Sequence, residues 1–212
     1  MKEFWEQRYS AVEYAYGKTP NEFLAGNYQL LKQGRVLCLA EGEGRNAAFL
    51  ATKGYEVTAV DQSKAGLQKI TDLAIEFGVD IVTHEADLND YDVGQECWDS
   101  IVSISAHLPP ELRKEVHSQV VKALKPGGVL LLEAYHPKHI EMPGIGGPSA
   151  EQLGMFMTLD ILKEELPGLE VVHAVETERE FTEGEYHQGL SAVVQFVAKK
   201  LNEKSNSFGL TD

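Results

Sequence analysis

Cysteine is almost absent: two residues, Cys38 and Cys97, in 212. A disulfide framework and a paired-cysteine zinc site are therefore both excluded, and the two thiols read as small apolar residues in or beside buried strands. Basic residues are also scarce, 19 against 33 acids for a net charge of −14. A surface that neutralises phosphates needs clustered cations, so broad nucleic-acid or anionic-membrane binding is not expected. No apolar run approaches the ~18 residues of a membrane span, and the opening MKEFWEQRYS lacks the apolar core of a secretory signal. These features predict a cytoplasmic location. What is present, 43% hydrophobic and 25% charged residues, suits a folded domain with a full core.

Short apolar runs alternate with amphipathic stretches, the pattern of βαβ units, and predict an α/β protein with a doubly wound, Rossmann-like sheet. Seven strands are expected, at 35–40, 56–60, 81–85, 100–104, 129–135, 169–176 and 191–199. The Val, Leu and Ile content of the first five predicts burial on both faces. Helices are expected near 63–77, with Ser63 capping and Gly78 closing, near 109–124, opened by prolines and stopped by PGG, near 159–166, and directly after Gly44. The last two strands are separated by FTEGEYHQG or less, too short for a crossover, so they form an antiparallel hairpin. One domain spans 1–201, with a helical amino-terminal cap over 1–33, in which Pro20 opens a helix, and a Gly- and Pro-rich substrate-side loop over 136–158. Residues 202–212 form a polar, flexible tail.

RVLCLA runs straight into EGEGRNAAFLA and sets Gly42 and Gly44 at a strand-to-helix turn, where backbone can approach a ligand closely. Asp61 ends the second strand, and its two carboxylate oxygens suit a ribose diol. Asp87, in HEADLND, ends the third and can accept from an adenine amino group. Gly42, Gly44, Ala47 and Asp61 also satisfy a relaxed dinucleotide fingerprint, so an NAD-dependent oxidoreductase is one reading of the loop. The antiparallel seventh strand after LKPGGVLLLEAY argues against it.

The series VLCLAEGEGRNAAFLA, VTAVDQS, HEADLND, WDSIVSI and LKPGGVLLLEAY resembles the seven-stranded class I S-adenosylmethionine-dependent methyltransferases over most of the chain. GEGRNAAFLA with GYEVTAVD resembles the tellurite-resistance and thiopurine-type small-molecule branch. The resemblance implies S-adenosylmethionine as cofactor, with Gly42 and Gly44 against its methionine and ribose parts, Asp61 on the ribose, and Asp87 with the backbone of Leu88 on the adenine. Asn46, Gln62, Ser103 and Ser105 complete that surface, and the segment from Ser103 to Ala106 faces the donor methyl. Where the family usually has an Asp and a Gly in the first-strand motif, this chain has Cys38 and Ala40. Glu41 is the nearest acid and is expected to take over the missing carboxylate.

Methyl transfer from an activated donor asks mainly for in-line placement of a nucleophile. His107, just past the fourth strand, is the candidate base, and Tyr135 at the end of the fifth a candidate wall of the acceptor pocket. His136, Arg179 and His187 are candidate acceptor contacts. His136 and His139 near Glu133 lack specific metal-ligand spacing, and no metal is expected. Trp5 and Tyr16 either close over the cofactor or staple the first helix to the sheet. The expected activity is methylation of a small thiol or chalcogen nucleophile. The alternatives are O- or N-methylation of a metabolite, or a non-catalytic S-adenosylmethionine or S-adenosylhomocysteine binder. The only expected partner is a small-molecule acceptor, with no nucleic acid or membrane, and the chain is expected to be a monomer or homodimer.

Overall fold

The computed structural model describes residues 2–202; the expected tail, apart from Asn202, lies outside them. Seven strands, β1 (Arg35–Leu39), β2 (Glu56–Asp61), β3 (Ile81–Glu85), β4 (Trp98–Ile104), β5 (Leu124–Tyr135), β6 (Leu169–Glu183) and β7 (His187–Lys200), form one sheet in the order β3-β2-β1-β4-β5-β7-β6. Pairings through β5 are parallel, and β7 runs antiparallel to β5 and β6. The helices are α1 (Lys2–Tyr9), α2 (Glu22–Asn27), α3 (Arg45–Thr52), α4 (Lys64–Phe77), α5 (Pro110–Ala123) and α6 (Leu159–Glu165).

Strand alternation builds two cores. In β1, Val36 and Cys38 face α2, α3 and α4, where they join Leu24, Leu50 and Ile70; Leu37 and Leu39 face the other way, toward Val116 and Val120 of α5 and Leu162 of α6. Cys38 is wholly buried, and burial drives its thiol pKa well up, so it acts as a small apolar residue. Ser63 caps α4 by accepting from the Gly66 amide, and Gly78 ends it in the left-handed conformation.

Several boundaries depart from expectation. β3 is a sheet edge rather than a strand buried on both faces, with Val82 56% exposed. β5 begins at Leu124 because Trp98 pairs with Leu124 before a bulge restores the register at Ser100 and Val129. β6 and β7 stay paired to Glu183 and His187, which shortens their turn to Gly184, Glu185 and Tyr186. Pro20 does not open a helix: Asn21 caps α2 through its side-chain oxygen and the Leu24 amide. Residues 10–21 of the cap are irregular. The 136–158 segment contains two 3₁₀ turns, Pro137–Glu141 and Ala150–Met155, and is strapped to β7 by mutual backbone bonds of Ile145 and Gln188.

The chain order reverses between β1 and β4, the place where open α/β sheets form a crevice at their carboxyl ends. Ala40 after β1 and Ser105 after β4 both have positive φ, 47° and 56°. A left-handed L-residue costs about 1–2 kcal/mol, whereas added glycine freedom in the unfolded chain costs about 0.5–1 kcal/mol. Ala40→Gly is therefore expected to stabilise the fold by about 0.5–1 kcal/mol, read as a raised denaturation midpoint at constant slope. A lowered midpoint would show that the Ala40 methyl contributes more packing than its backbone loses in strain.

Candidate functional site

A cavity of about 570 Å³ opens at this crevice. Its walls come from the loop after β1, the tips of β2 and β4, α1 with the segment that follows it, the strap at 145–149 and the β6–β7 turn.

Acids build the glycine loop. Gly42 has φ +67°, and a side chain there would run into the Tyr9 hydroxyl; at Gly44, a Cβ would lie 2.9 Å from the Ile70 Cα, so α4 packs directly on the turn. Gly44 as N-cap leaves α3 without a capping side chain, and Glu41 supplies one: its Oε1 accepts from the amides of Asn46 at 3.1 Å and Ala47 at 2.7 Å. Burial pushes the Glu41 pKa up to about 7 against those bonds and the nearby Arg45 charge. Asp61 accepts from the Gly42 amide at 2.8 Å and from the Ser63 amide at 2.9 Å. Burial raises its pKa while those same bonds oppose the rise. Glu43, buried with Lys69 at 2.6 Å, accepts from the amides of Ala15 and Tyr16 and so anchors the segment after α1 over the loop.

Aromatic residues close the mouth. Trp5 stacks on Tyr9 at 5.5 Å. The Arg8 guanidinium lies 3.9 Å over the Tyr186 ring and donates to the Tyr16 hydroxyl at 3.1 Å, joining α1 to the β6–β7 turn across the opening.

Residues 36–128 match the family model of a methyltransferase domain. That segment, less than half of the chain, is similar to methyltransferase domains. An uncharacterised methyltransferase, YbaJ of Bacillus subtilis, is 32% identical over 104 residues, 49% of this chain and 41% of its own length. The match thus spans well under half of that relative. A protein solved in work on the conversion of a disulfide bond into a thioacetal group during echinomycin biosynthesis superposes with a TM-score of 0.76 at 19% identity, over 97% of this chain and 93% of its own. TehB from Haemophilus influenzae gives 0.70 at 20% identity, over 94% and 66%. At these identities the structural likeness is one of fold.

Of the residues expected at the site, Trp5, Tyr16, Glu41, Gly42, Asn46, Asp61, Gln62, Ser105, His107 and His187 come together around the cavity. Gly44 instead supports the turn from beneath. Asp87 is exposed and caps its own turn through the Asn89 amide, and Leu88 and Ser103 line a small apolar hole next door. The carboxylate of Asp61 offers about four lone-pair sites and uses two, on the Gly42 and Ser63 amides, which leaves capacity for a ribose diol.

The candidate acceptor residues need correction. His107 lines the cavity, but its Nε2 accepts from the Tyr135 amide at 3.0 Å, so the proton sits on Nδ1 and the basic lone pair is committed. Burial and neighbouring His187 pull its pKa down to about 3. Tyr135 is wholly buried, stacked on Phe181 at 5.3 Å behind the strap, with no partner for its hydroxyl. His136 caps the first 3₁₀ turn through the Lys138 amide and stands outside the cavity walls. Arg179 stands outside the cavity walls and is spent on Glu133 and Glu183, each at 2.8 Å.

That pairing belongs to a buried network which sequence reasoning missed. Asn21 donates to Glu133 at 2.7 Å and to Glu183 at 3.1 Å, Gln195 donates to Glu133 at 2.7 Å, and Arg45 pairs with Glu183 at 2.7 Å. It ties α2, α3, β5 and the final hairpin together behind the cavity. Glu183 lies 138 residues from Arg45 in the chain, and no local pattern links them. Among the described residues no group of three or more His, Cys, Asp or Glu is arranged to hold a metal ion, and no helix is long and apolar enough to cross a membrane.

Proposed function

We propose that this chain transfers the methyl group of S-adenosylmethionine to a small-molecule acceptor, most simply a thiol or related chalcogen nucleophile. The observation that carries the reading is the cavity at the β1–β4 reversal, built on the glycine loop and roofed by α1 and the 136–158 strap. Its aromatic-lined mouth and modest size favour a small acceptor over a macromolecule. The cofactor supplies a methyl group already activated on a sulfonium. In this reading Asp61 holds the ribose, Glu41 the ammonium end, and Trp5, Arg8 and Tyr16 cover the methionine arm. Asp87 and the Leu88 backbone serve the adenine if their loop closes over it. Ser105 and His107 form the floor under the methyl, with the His107 ring fixed by the Tyr135 amide. Position and exclusion of water carry the rate, and effective molarity of this kind is worth about 7–11 kcal/mol.

Two measurements test this. Labelled methyl from S-adenosylmethionine should appear in methylated thiols, and saturable S-adenosylhomocysteine binding without any product would leave a binding protein instead. Calorimetry tests Glu41 separately. With its pKa near 7, the carboxylate gains charge as pH rises, so S-adenosylhomocysteine affinity is expected to increase about threefold to tenfold between pH 6 and 8. In Glu41→Gln the affinity should be weaker and the pH slope smaller. An unchanged dissociation constant and slope would remove Glu41 from the cofactor site.

A further inference from the structure

His187 begins β7, is 6% exposed and lines the cavity. The Tyr16 ring centroid lies 4.4 Å from its imidazole, those of Tyr135 and Phe181 5.5 Å each, so the ring is held by packing on several sides. Its Nδ1 is sealed from solvent and stands 3.5 Å from Glu183 Oε2, outside hydrogen-bond geometry. Its Nε2 carries no bond to any other described residue and is not among the sealed atoms. A carboxylate behind one ring nitrogen and an open cavity before the other is the arrangement of an oriented base. Catalytic hydrogen bonds are often long before substrate binds and tighten afterwards.

We propose that His187, oriented by Glu183, is the general base that takes the proton from the acceptor, and that the acceptor is therefore a protic nucleophile such as an alkanethiol rather than a preformed anion. This rests on the methyl-transfer reading above. The acceptor's S–H proton passes to Nε2 of His187. The sulfur lone pair forms the bond to the methyl carbon, and the electron pair of the broken carbon–sulfur bond stays with the departing thioether. The imidazolium then returns its proton to water. His107 cannot take this part, because its Nε2 is already bonded to the Tyr135 amide.

The surrounding charges set the protonation states in the same sense. Burial opposes ionisation of Glu183, but His187, Arg45 and Arg179 outweigh it and hold its carboxyl well below the usual range. For His187, burial lowers the pKa, aided by Arg45 and Arg179, and Glu183 opposes them; the net is a neutral imidazole at pH 7. The Tyr135 hydroxyl, pushed far up by burial, stays neutral beside it, as does His107. His139, whose Nε2 bonds to the Gly146 carbonyl, packs on Tyr135 at 4.5 Å.

The test compares two acceptors: 2-mercaptoethanol, protonated at neutral pH, and 2-nitro-5-thiobenzoate, already a thiolate. General-base catalysis is typically worth 10²–10⁴-fold, so His187→Gln should lower kcat/KM for 2-mercaptoethanol by ~100-fold and remove the acidic limb of its pH profile. For the thiolate the loss should stay within a few-fold. Equal losses for both, or none for either, would overturn the base. S-adenosylhomocysteine calorimetry on the wild-type protein separates this from failure of the methyl-transfer reading, since only the latter predicts that binding is absent. Nitrogen-15 NMR of the wild-type protein gives an answer independent of turnover. His187 is expected as the Nδ1–H tautomer with Nε2 unprotonated at pH 7, and the Nε2–H tautomer or a histidinium would overturn the proposal whatever the kinetics.

Discussion

Asp61→Asn is expected to weaken S-adenosylhomocysteine binding by about 100-fold or more, a loss of ~2.7 kcal/mol, although the side chain keeps its shape. The wild-type carboxylate receives two amides from opposite sides, Gly42 at 2.8 Å and Ser63 at 2.9 Å. An asparagine has one oxygen, so its NH2 group must face one of those N–H donors. The displaced amide is left buried without an acceptor, at a cost of about 1–3 kcal/mol, and the turn that carries Gly42 loses its tie to β2. The same residue is the proposed ribose acceptor, so loop order and ligand contact fail together. Calorimetry gives the affinity and denaturant titration the stability. An affinity within threefold of wild type with unchanged stability would contradict both roles. Asp61→Ala, which leaves two unsatisfied amides but no clashing donor, should fall between asparagine and wild type in stability only if that clash outweighs the second lost bond.

How far the sequence led is clearest at this loop. EGEG after a run of apolar residues specified a strand-to-helix turn, because glycine is required where Gly42 takes φ +67° and where Gly44 meets Ile70. All four main helices after the loop, α3 to α6, lay within about two residues of their apolar periodicities and caps. The acids were harder. Glu41 and Asp61 looked like ligands for a cofactor, whereas each first satisfies protein groups, the α3 amino terminus and the Gly42 amide. A sequence displays charge but not which donors the fold brings to it.

The histidines make the same point from the other direction. His107 sits one residue past the β4 tip segment, and position alone commended it as a base. Its lone pair is spent on the Tyr135 amide, a contact 28 residues away. His187 held no such prominence, since a hairpin residue flanked by GEY and QGL carries no motif. Only the antiparallel return of β7 beside β5 brings it to the cavity with Glu183 behind it. Arg179 was expected to meet the acceptor, yet strand alternation turns it to Glu133 instead.

Glu165→Ala is expected to destabilise the fold by about 3–5 kcal/mol, the range for breaking a buried pair by removing one partner. The Glu165 side chain is 4% exposed and receives Arg113 at 2.9 Å and His117 at 2.8 Å. Arg113 also donates to the Gly154 carbonyl at 2.6 Å, so the pair fastens α5 both to α6 and to the end of the strap that walls the cavity. Without the carboxylate, a guanidinium 4% exposed remains uncompensated, and the strap loses the anchor that fixes its exit. Burial works against the Glu165 charge, but His117 and Arg113 outweigh it and hold the pKa at about 2. Because that folded value lies below the unfolded value of ~4.3, the stabilisation is present above about pH 5 and is lost as pH falls toward 2. Wild-type stability should therefore drop steeply across that interval, and the Glu165→Ala protein should show a shallower slope there from a lower plateau. Double replacement with Arg113→Met separates the lost attraction from the stranded charge. If the double variant is more stable than Glu165→Ala alone, the unpaired guanidinium carries the damage; if it is less stable, the bonds of Arg113 to the strap matter more than its charge. Parallel slopes for wild type and Glu165→Ala between pH 5 and 2 would show that this carboxylate does not set the acid limb.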